Sequence, residues 1–187
     1  MEEFQKAITY QREKGVNFVK LEGRLPLENP FGMEEDVSLT MVLSAEADHR
    51  TWKTAPDVVL RAPDTTQLEA LERKHYGALY GESFTVRNIR RLQERVCYHG
   101  AYLEGTLVGV CCTYSADGYT CIDGLLVDRA HRHRSIATTL LQNAVETARK
   151  RGDQVFLHAD AHDTPKEMYA AMGFEAEDRL YEYLYHF

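Results

Sequence analysis

The sequence predicts a mixed α and β fold on a single sheet with helices on both faces, and three observations carry that prediction. Three strand-like runs follow one another closely, "CYHGAYLEG" (97–105), "TLVGVCCTYS" (106–115) and "YTCIDGLLV" (119–127), with turn chemistry at Glu104-Gly105 and Asp117-Gly118. Such spacing makes them an antiparallel meander. Apolar residues then recur at helical spacing (Ile136, Ala137, Leu140, Leu141, Ala144, Val145, Ala148) before another strand, "VFLHAD" (155–160). A strand reached through a helix joins parallel to the one it left, so a βαβ step follows the meander. Helical patterns also stand ahead of the meander, which supplies cover for the second face.

"DVVLRAP" (57–63) is a short β-branched strand, and Asp64 or Thr65 can cap the helix "TTQLEALERKHYGALYG". A second helix, "TVRNIRRLQERV", is expected from residue 85, after the break at Gly81. Gly152 stops the long helix after Arg149, Lys150 and Arg151, whose charges suit a C-terminal dipole end. "TPKEMYAAM" reads as a short helix before Gly173 and Phe174, and "RLYEYLYHF" as a final strand.

Residues 1–43 resemble a partial copy of the C-terminal part. "FQKAITYQREKG" (4–15) lies over "LQNAVETARKRG" (141–152), and the match continues through "NFVKLEG" over "QVFLHAD" and "FGMEED" over "MGFEAED" to a strand "VSLTMVL". Chance similarity between amphipathic helices is the other explanation. On this reading 44–56 is a linker and 57–187 the main domain.

A chain of 187 residues can bury a substantial core around one main site. With 29 acidic against 22 basic residues and a net charge of −7, affinity resting on the phosphates of DNA or RNA is disfavoured. No run approaches the roughly 18 apolar residues that span a membrane, and "MEEFQKAITY" is unlike a secretory signal, so a cytoplasmic location is expected. Cys97, Cys111, Cys112 and Cys121 lack C-x-x-C spacing and read as small buried residues in a reduced compartment.

The stretch "VDRAHRHRSIATTLLQNAV" (127–145) packs three arginines and two histidines into six residues before an apolar helix. A metal could draw on His131 and His133, with His158, Asp160 and His162 from "HADAH", but Arg129, Arg132 and Arg134 repel a cation. A nucleic-acid patch lacks interleaved aromatics, and a solvated basic turn is the plainest alternative. A strand end, a basic turn and a helix start gather unpaired backbone N–H groups and the positive end of a helix dipole, which suits an anion such as a pyrophosphate. Neither G-x-G-x-x-G nor G-K-[ST] is present, so neither a Rossmann dinucleotide site nor a nucleoside triphosphatase loop is indicated.

Here the residues carry a family resemblance. "LLVDRAHRHRSIATTLL" resembles the coenzyme A pyrophosphate motif of the GNAT superfamily of N-acetyltransferases, in which a strand ends in Arg/Gln-x-x-Gly-x-Gly/Ala and opens a long helix. Arg132 matches the first position, Ser135 stands where the middle glycine is usual, and Ala137 fills the last. "HDTPKEMYAAMGF" resembles the family's Asn-x-x-Ala…Tyr-x-x-x-Gly-Phe segment, with Tyr169, Gly173 and Phe174 in place, His162 where asparagine is common and Pro165 where alanine is. The element order from 57 to 187 matches as well.

The resemblance implies acetyl-CoA as cofactor, held at Leu126, Val127, Arg132, His133, Arg134, Ser135, Ile136, Ala137, Thr138 and His162. Backbone N–H groups near Leu126 and Val127, left free at a splayed strand end, would polarise the thioester oxygen. It implies Tyr169 as the acid that protonates the leaving thiolate; a core tyrosine is the other reading. Asp123 sits where the family often carries a glutamate base, and a structural carboxylate is the alternative there. At Ser135, a backbone with positive φ would cost a serine on the order of 1 to 2 kcal/mol. If the helix begins there, serine is instead a favoured N-cap whose hydroxyl can donate to a phosphate oxygen, and that is the expectation.

The function expected is N-acyl transfer from acetyl-CoA to an amine of a small molecule or peptide, in a ternary complex, without a metal, nucleic acid or membrane partner. A homodimer is compatible with it. A non-catalytic acyl-CoA sensor or interaction module is the alternative. The resemblance implies an acceptor site lined by the first two helices, their connecting loop and the late strands, which points to "HYGALYGESFTVRN" and the row Tyr181, Tyr183, Tyr185.

Overall fold

The computed structural model describes residues 2–15, 17–28 and 32–187. Phe31, which opens the "FGMEED" match, lies outside the described residues. In chain order the elements are helix α1 (Glu2–Glu13), strands β1 (Phe18–Gly23), β2 (Glu34–Leu43) and β3 (Val59–Arg61), helices α2 (Thr65–Tyr80) and α3 (Glu82–Leu92), and strands β4 (Cys97–Leu103), β5 (Thr106–Ala116) and β6 (Tyr119–Val127). Helix α4 (Ile136–Arg151), strand β7 (Gln154–Asp160), helix α5 (Pro165–Ala171) and strand β8 (Phe174–His186) complete the chain. It divides into two compact units, Leu43–Leu157 and a second made of Met1–Val42 with His158–Phe187.

In the first unit the strand order is β3-β4-β5-β6-β7. Strands β3 to β6 pair antiparallel, and β6 pairs parallel with β7. The meander and the parallel step therefore stand as the sequence predicts, in a mixed α/β fold. Both meander turns have positive φ at their two central residues, Glu104 and Gly105 at 49° and 81°, Asp117 and Gly118 at 51° and 82°. That twist matches the flanking strands.

Leu68 and Leu71 of α2 and Ile89 of α3 bury against Tyr102, Leu107, Val110 and Leu126 on one face. The buried stripe of α4, from Ile136 to Ala148, covers the other, where a Cβ on Gly109 would come within 3.1 Å of Ile136 Cγ2 and 3.2 Å of Leu140 Cδ1. Asp64 caps α2 by accepting from Gln67 N–H at 3.1 Å, and Gly152 ends α4 in the left-handed region, both as expected. Helix α3 starts three residues before the expected Thr85, because Gly81 at φ 85° both breaks α2 and caps α3.

In the second unit the order is β1-β8-β2, with β1 antiparallel to β8. Phe4 and Ile8 of α1 pack with Val19, Met33 and Tyr183, and Tyr181 and Tyr185 join that cluster. Cys111, Cys112 and Cys121 are buried, but Cys97, expected to be buried too, is exposed. The β3 ladder reaches only from Tyr102 to Gly100, so Cys97 at the start of β4 has no strand on that flank. No described helix is long and apolar enough to cross a membrane.

Candidate active site

The site begins where β6 loses its parallel partner. The β6–β7 ladder runs from Tyr119↔Gln154 to Ile122↔Leu157 and stops, while β6 continues to Val127 along β5. The β5 register pairs Cys112 with Asp123 and Val110 with Leu126, so Gly124 and Leu125 together oppose Cys111. This is a bulge, and Gly124 takes φ 59° within it. Asp128 N–H donates to Val108 O at 2.9 Å, which fixes the phase of the strand. Alternation then turns the Leu126 N–H toward β5 and the Val127 N–H away from it. Of the two amides expected to be free, the geometry offers Val127; Leu126 is turned inward, opposite Val110.

The turn after β6 is built on Asp128, a buried carboxylate that accepts from Ala130 N–H at 3.0 Å and from Lys74 Nζ of α2 at 2.5 Å. The lysine first, then the amide, holds its acidity below the usual carboxylate range. Arg132 Nε donates back to Val127 O at 3.4 Å, and Arg132, His133 and Arg134 are exposed. His133 and Ser135 both have φ of 61°. Ser135 immediately precedes α4 in the left-handed region, and its side chain makes no capping bond. The expected N-cap geometry is therefore corrected: the position keeps the backbone of a glycine. The Ser135 carbonyl instead accepts from Thr139 N–H at 3.0 Å and Thr139 Oγ1 at 2.8 Å, which closes the first turn. Ile136 is buried, and Ala137 and Thr138 are half-buried behind it.

His133 and Ser135, both with φ of 61°, flank Arg134 at the positive end of a helix of 16 residues, a backbone of the kind that turns successive amides toward an anion. A cleft of about 200 Å³ opens beside it, lined by residues 53–58, Leu103 and His133 to Ile136. His131 Nδ1 and His75 Nε2 are buried without a hydrogen-bond partner among the described residues. Burial lowers the His75 pKa, against the pull of the Asp128 carboxylate. Exposed guanidinium groups and a helix start preceded by residues of positive φ fit an anionic diphosphate such as that of coenzyme A.

Asp123 opens a second feature, on the face of the sheet under α2. Tyr98 pairs with Cys112, and Cys112 with Asp123, so the three side chains stand in a row across β4, β5 and β6. Asp123 is exposed, with one carboxylate oxygen accepting from Gly124 N–H at 2.7 Å. Burial pushes the Tyr98 hydroxyl and the Cys112 thiol each up to about 12. Above the row, burial raises Glu72 of α2 to about 7. The sequence reading missed Glu72, Lys74 and Asp128. A carboxylate next to Leu71 on the apolar stripe of α2 was the available signal for the first.

Tyr169 and His162 belong to the second unit. Tyr169 is buried in α5, its ring 6.0 Å edge-to-face from Phe174. His162 is exposed beyond β7, where its N–H donates to Asp160 Oδ1 at 2.6 Å. The Tyr181, Tyr183, Tyr185 row lies in that unit's core cluster, with the Tyr183 hydroxyl accepting from Leu27 N–H at 2.8 Å.

Similarity to known proteins agrees with this geometry. No curated protein matches the chain. A conserved protein of unknown function from Staphylococcus epidermidis ATCC 12228 superposes with a TM-score of 0.77 at 18% identity, over 98% of this chain and 79% of that one. A GCN5-related N-acetyltransferase from Sphaerobacter thermophilus gives 0.72 at 17%, over 98% and 66%. The PaiA N-acetyltransferase of Thermoplasma acidophilum, solved in complex with coenzyme A, gives 0.54 at 20%, over 68% and 99%. The model of the Acetyltransferase (GNAT) family matches residues 62–174, more than half of the chain. The turn with its two left-handed residues, the splayed strand and the helix behind them all lie inside that match, and the chain belongs to the GNAT acetyltransferase family.

Proposed function

We propose that this protein transfers an acetyl group from acetyl-CoA to a primary amine of a small molecule or peptide, in the cytoplasm and by direct transfer. The observation that carries the reading is the cationic turn of left-handed residues at the mouth of the β6–β7 splay. Acetyl-CoA supplies an activated thioester carbonyl. Arg132, Arg134 and the turned amides hold its diphosphate, and Val127 N–H donates to the thioester oxygen. Asp123 and Glu72 are the carboxylates within this unit's acceptor face, and one of them takes a proton from the acceptor ammonium.

Direct transfer is favoured over a cysteine-bound acetyl because burial keeps the Cys112 thiol protonated. Tyr169 protonates the departing thiolate, the role its position before Gly173-Phe174 suggests. Residues 1–43 are read with this as a degenerate half-copy that lacks a basic turn and serves structure alone. Thermal shift with acetyl-CoA, followed by thiol release across a panel of amines, tests the proposal. A shift with no thiol release would favour a sensor, and the absence of both would remove the cofactor.

A further inference from the structure

We infer that Glu72, rather than Asp123, takes the proton of the acceptor, and that the acceptor is a primary amine carried on an aromatic or apolar body. The inference rests on the acetyltransfer reading and deepens it.

The Tyr98–Cys112–Asp123 row crosses the sheet face that α2 covers, at the level where the β6–β7 ladder ends. Glu72 of α2 lies close enough for its charge to act on Tyr76 on its own helix, on Tyr98 of β4 and on Cys112 of β5. Asp123 on β6 and Arg132 from the cationic turn also act on Tyr76, so these groups cluster around that ring. The two carboxylates differ. Asp123 is open to solvent and tied to Gly124 N–H, whereas Glu72 is largely withdrawn from water, with no hydrogen bond or ion pair to it among the described residues. A desolvated, unpartnered carboxylate is one that an arriving ammonium satisfies.

Burial raises Glu72 to about 7, so near neutral pH it is available both to accept a proton and to release it. The step balances: R–NH3+ gives one proton to the Glu72 carboxylate, leaving neutral R–NH2 and a carboxylic acid. The nitrogen lone pair forms the N–C bond as the C–S bond breaks, and the thiolate departs with its electron pair. The amide nitrogen gives its remaining extra proton to water, the thiolate takes up one proton to become the free thiol, and Glu72 returns its own to water.

Beyond Glu72 the same helix face carries aromatic rings. Residues 72, 76 and 80 of α2 lie one above another, and Phe84 of α3 continues the row: the Tyr76–Tyr80 and Tyr80–Phe84 ring centroids are 5.9 and 6.4 Å apart. Tyr80 and Phe84 are 58% and 51% exposed. The ladder extends on the order of 12 Å from the carboxylate, which suits a ring or apolar body joined to an amine and leaves a short polar amine without contacts.

The test is kcat/KM against pH with phenethylamine and ethylamine, for wild type, E72Q, E72D and D123N. Wild type should show an acid limb inflecting near 7 and prefer phenethylamine by roughly tenfold or more. E72Q should lose about a hundredfold in kcat along with that inflection, keep the thermal shift with acetyl-CoA, and be partly restored by E72D. D123N should retain the inflection. An E72Q that keeps it, a D123N that abolishes it, or equal use of ethylamine overturns the inference while the acetyltransfer reading stands. Wild type that binds acetyl-CoA but releases no thiol with any amine overturns both.

Discussion

Lys74 of α2 and Asp128 at the end of β6 meet at 2.5 Å, so the helix carrying Glu72 is pinned to the turn carrying the arginines. The lysine is more than half exposed, while the carboxylate is buried and also caps the short turn through Ala130 N–H. The pair therefore acts less as a surface ion pair than as a clasp.

Loss of that clasp should be visible in stability and in its pH dependence. Asp128→Asn is expected to cost about 1 to 2 kcal/mol in denaturant unfolding. The folded pKa of Asp128 is depressed, so its contribution is present above the ordinary carboxylate pKa of about 4 and is lost as pH falls through the depressed value. The acid side of the stability curve should flatten in the variant. An unchanged curve would show that the clasp contributes nothing.

Ser135 gives a sharper test, because two local geometries predict opposite results. With φ 61° and no capping bond, Ser135→Gly should be neutral or stabilise by up to about 1 kcal/mol, and Ser135→Ala should change little. A serine N-cap would instead lose about 1 kcal/mol on substitution by alanine. Paired thermal melts of the two variants discriminate between them.

Gly109 sets how closely α4 approaches the sheet. A Cβ there would lie 3.2 Å from the Leu126 carbonyl oxygen as well as against Ile136 and Leu140. Gly109→Val is therefore expected to destabilise by about 1 to 3 kcal/mol and to weaken acetyl-CoA binding by displacing the helix start. Denaturant unfolding and isothermal titration would measure the two effects separately.

Tyr169→Phe keeps the ring that packs edge-to-face on Phe174 and removes only the hydroxyl. Turnover should fall by about a hundredfold, with affinity for acetyl-CoA nearly unchanged, if the hydroxyl protonates the thiolate. A large loss of affinity at unchanged turnover would return Tyr169 to a purely packing role.

The meander, its two primed turns, the long helix and the parallel strand were legible because each rests on local pattern: alternation, Asp-Gly and Glu-Gly turns, and apolar residues at helical spacing. The basic turn was legible for the same reason, since Arg132 to Ala137 sit between a strand end and a helix start. The backbone at Ser135 was not, because a serine before a helix is compatible with both a cap and a left-handed turn. Its side chain forms no bond that would have chosen the cap. Asp128 and Lys74 were also invisible, because residues 74 and 128 are far apart in sequence; Glu72 had only its place on the apolar stripe of α2 to mark it, and a carboxylate there looks solvated until the sheet beneath it is known.

By itself, then, the sequence determined the order of strands and helices and the position of the basic turn, since near-neighbour residues write both. Tertiary structure alone decided where β6 and β7 part, which way the Val127 amide points and which carboxylate is withdrawn from water. Those outcomes depend on register, a bulge at Gly124 and burial under α2, and each arises only when distant segments pack.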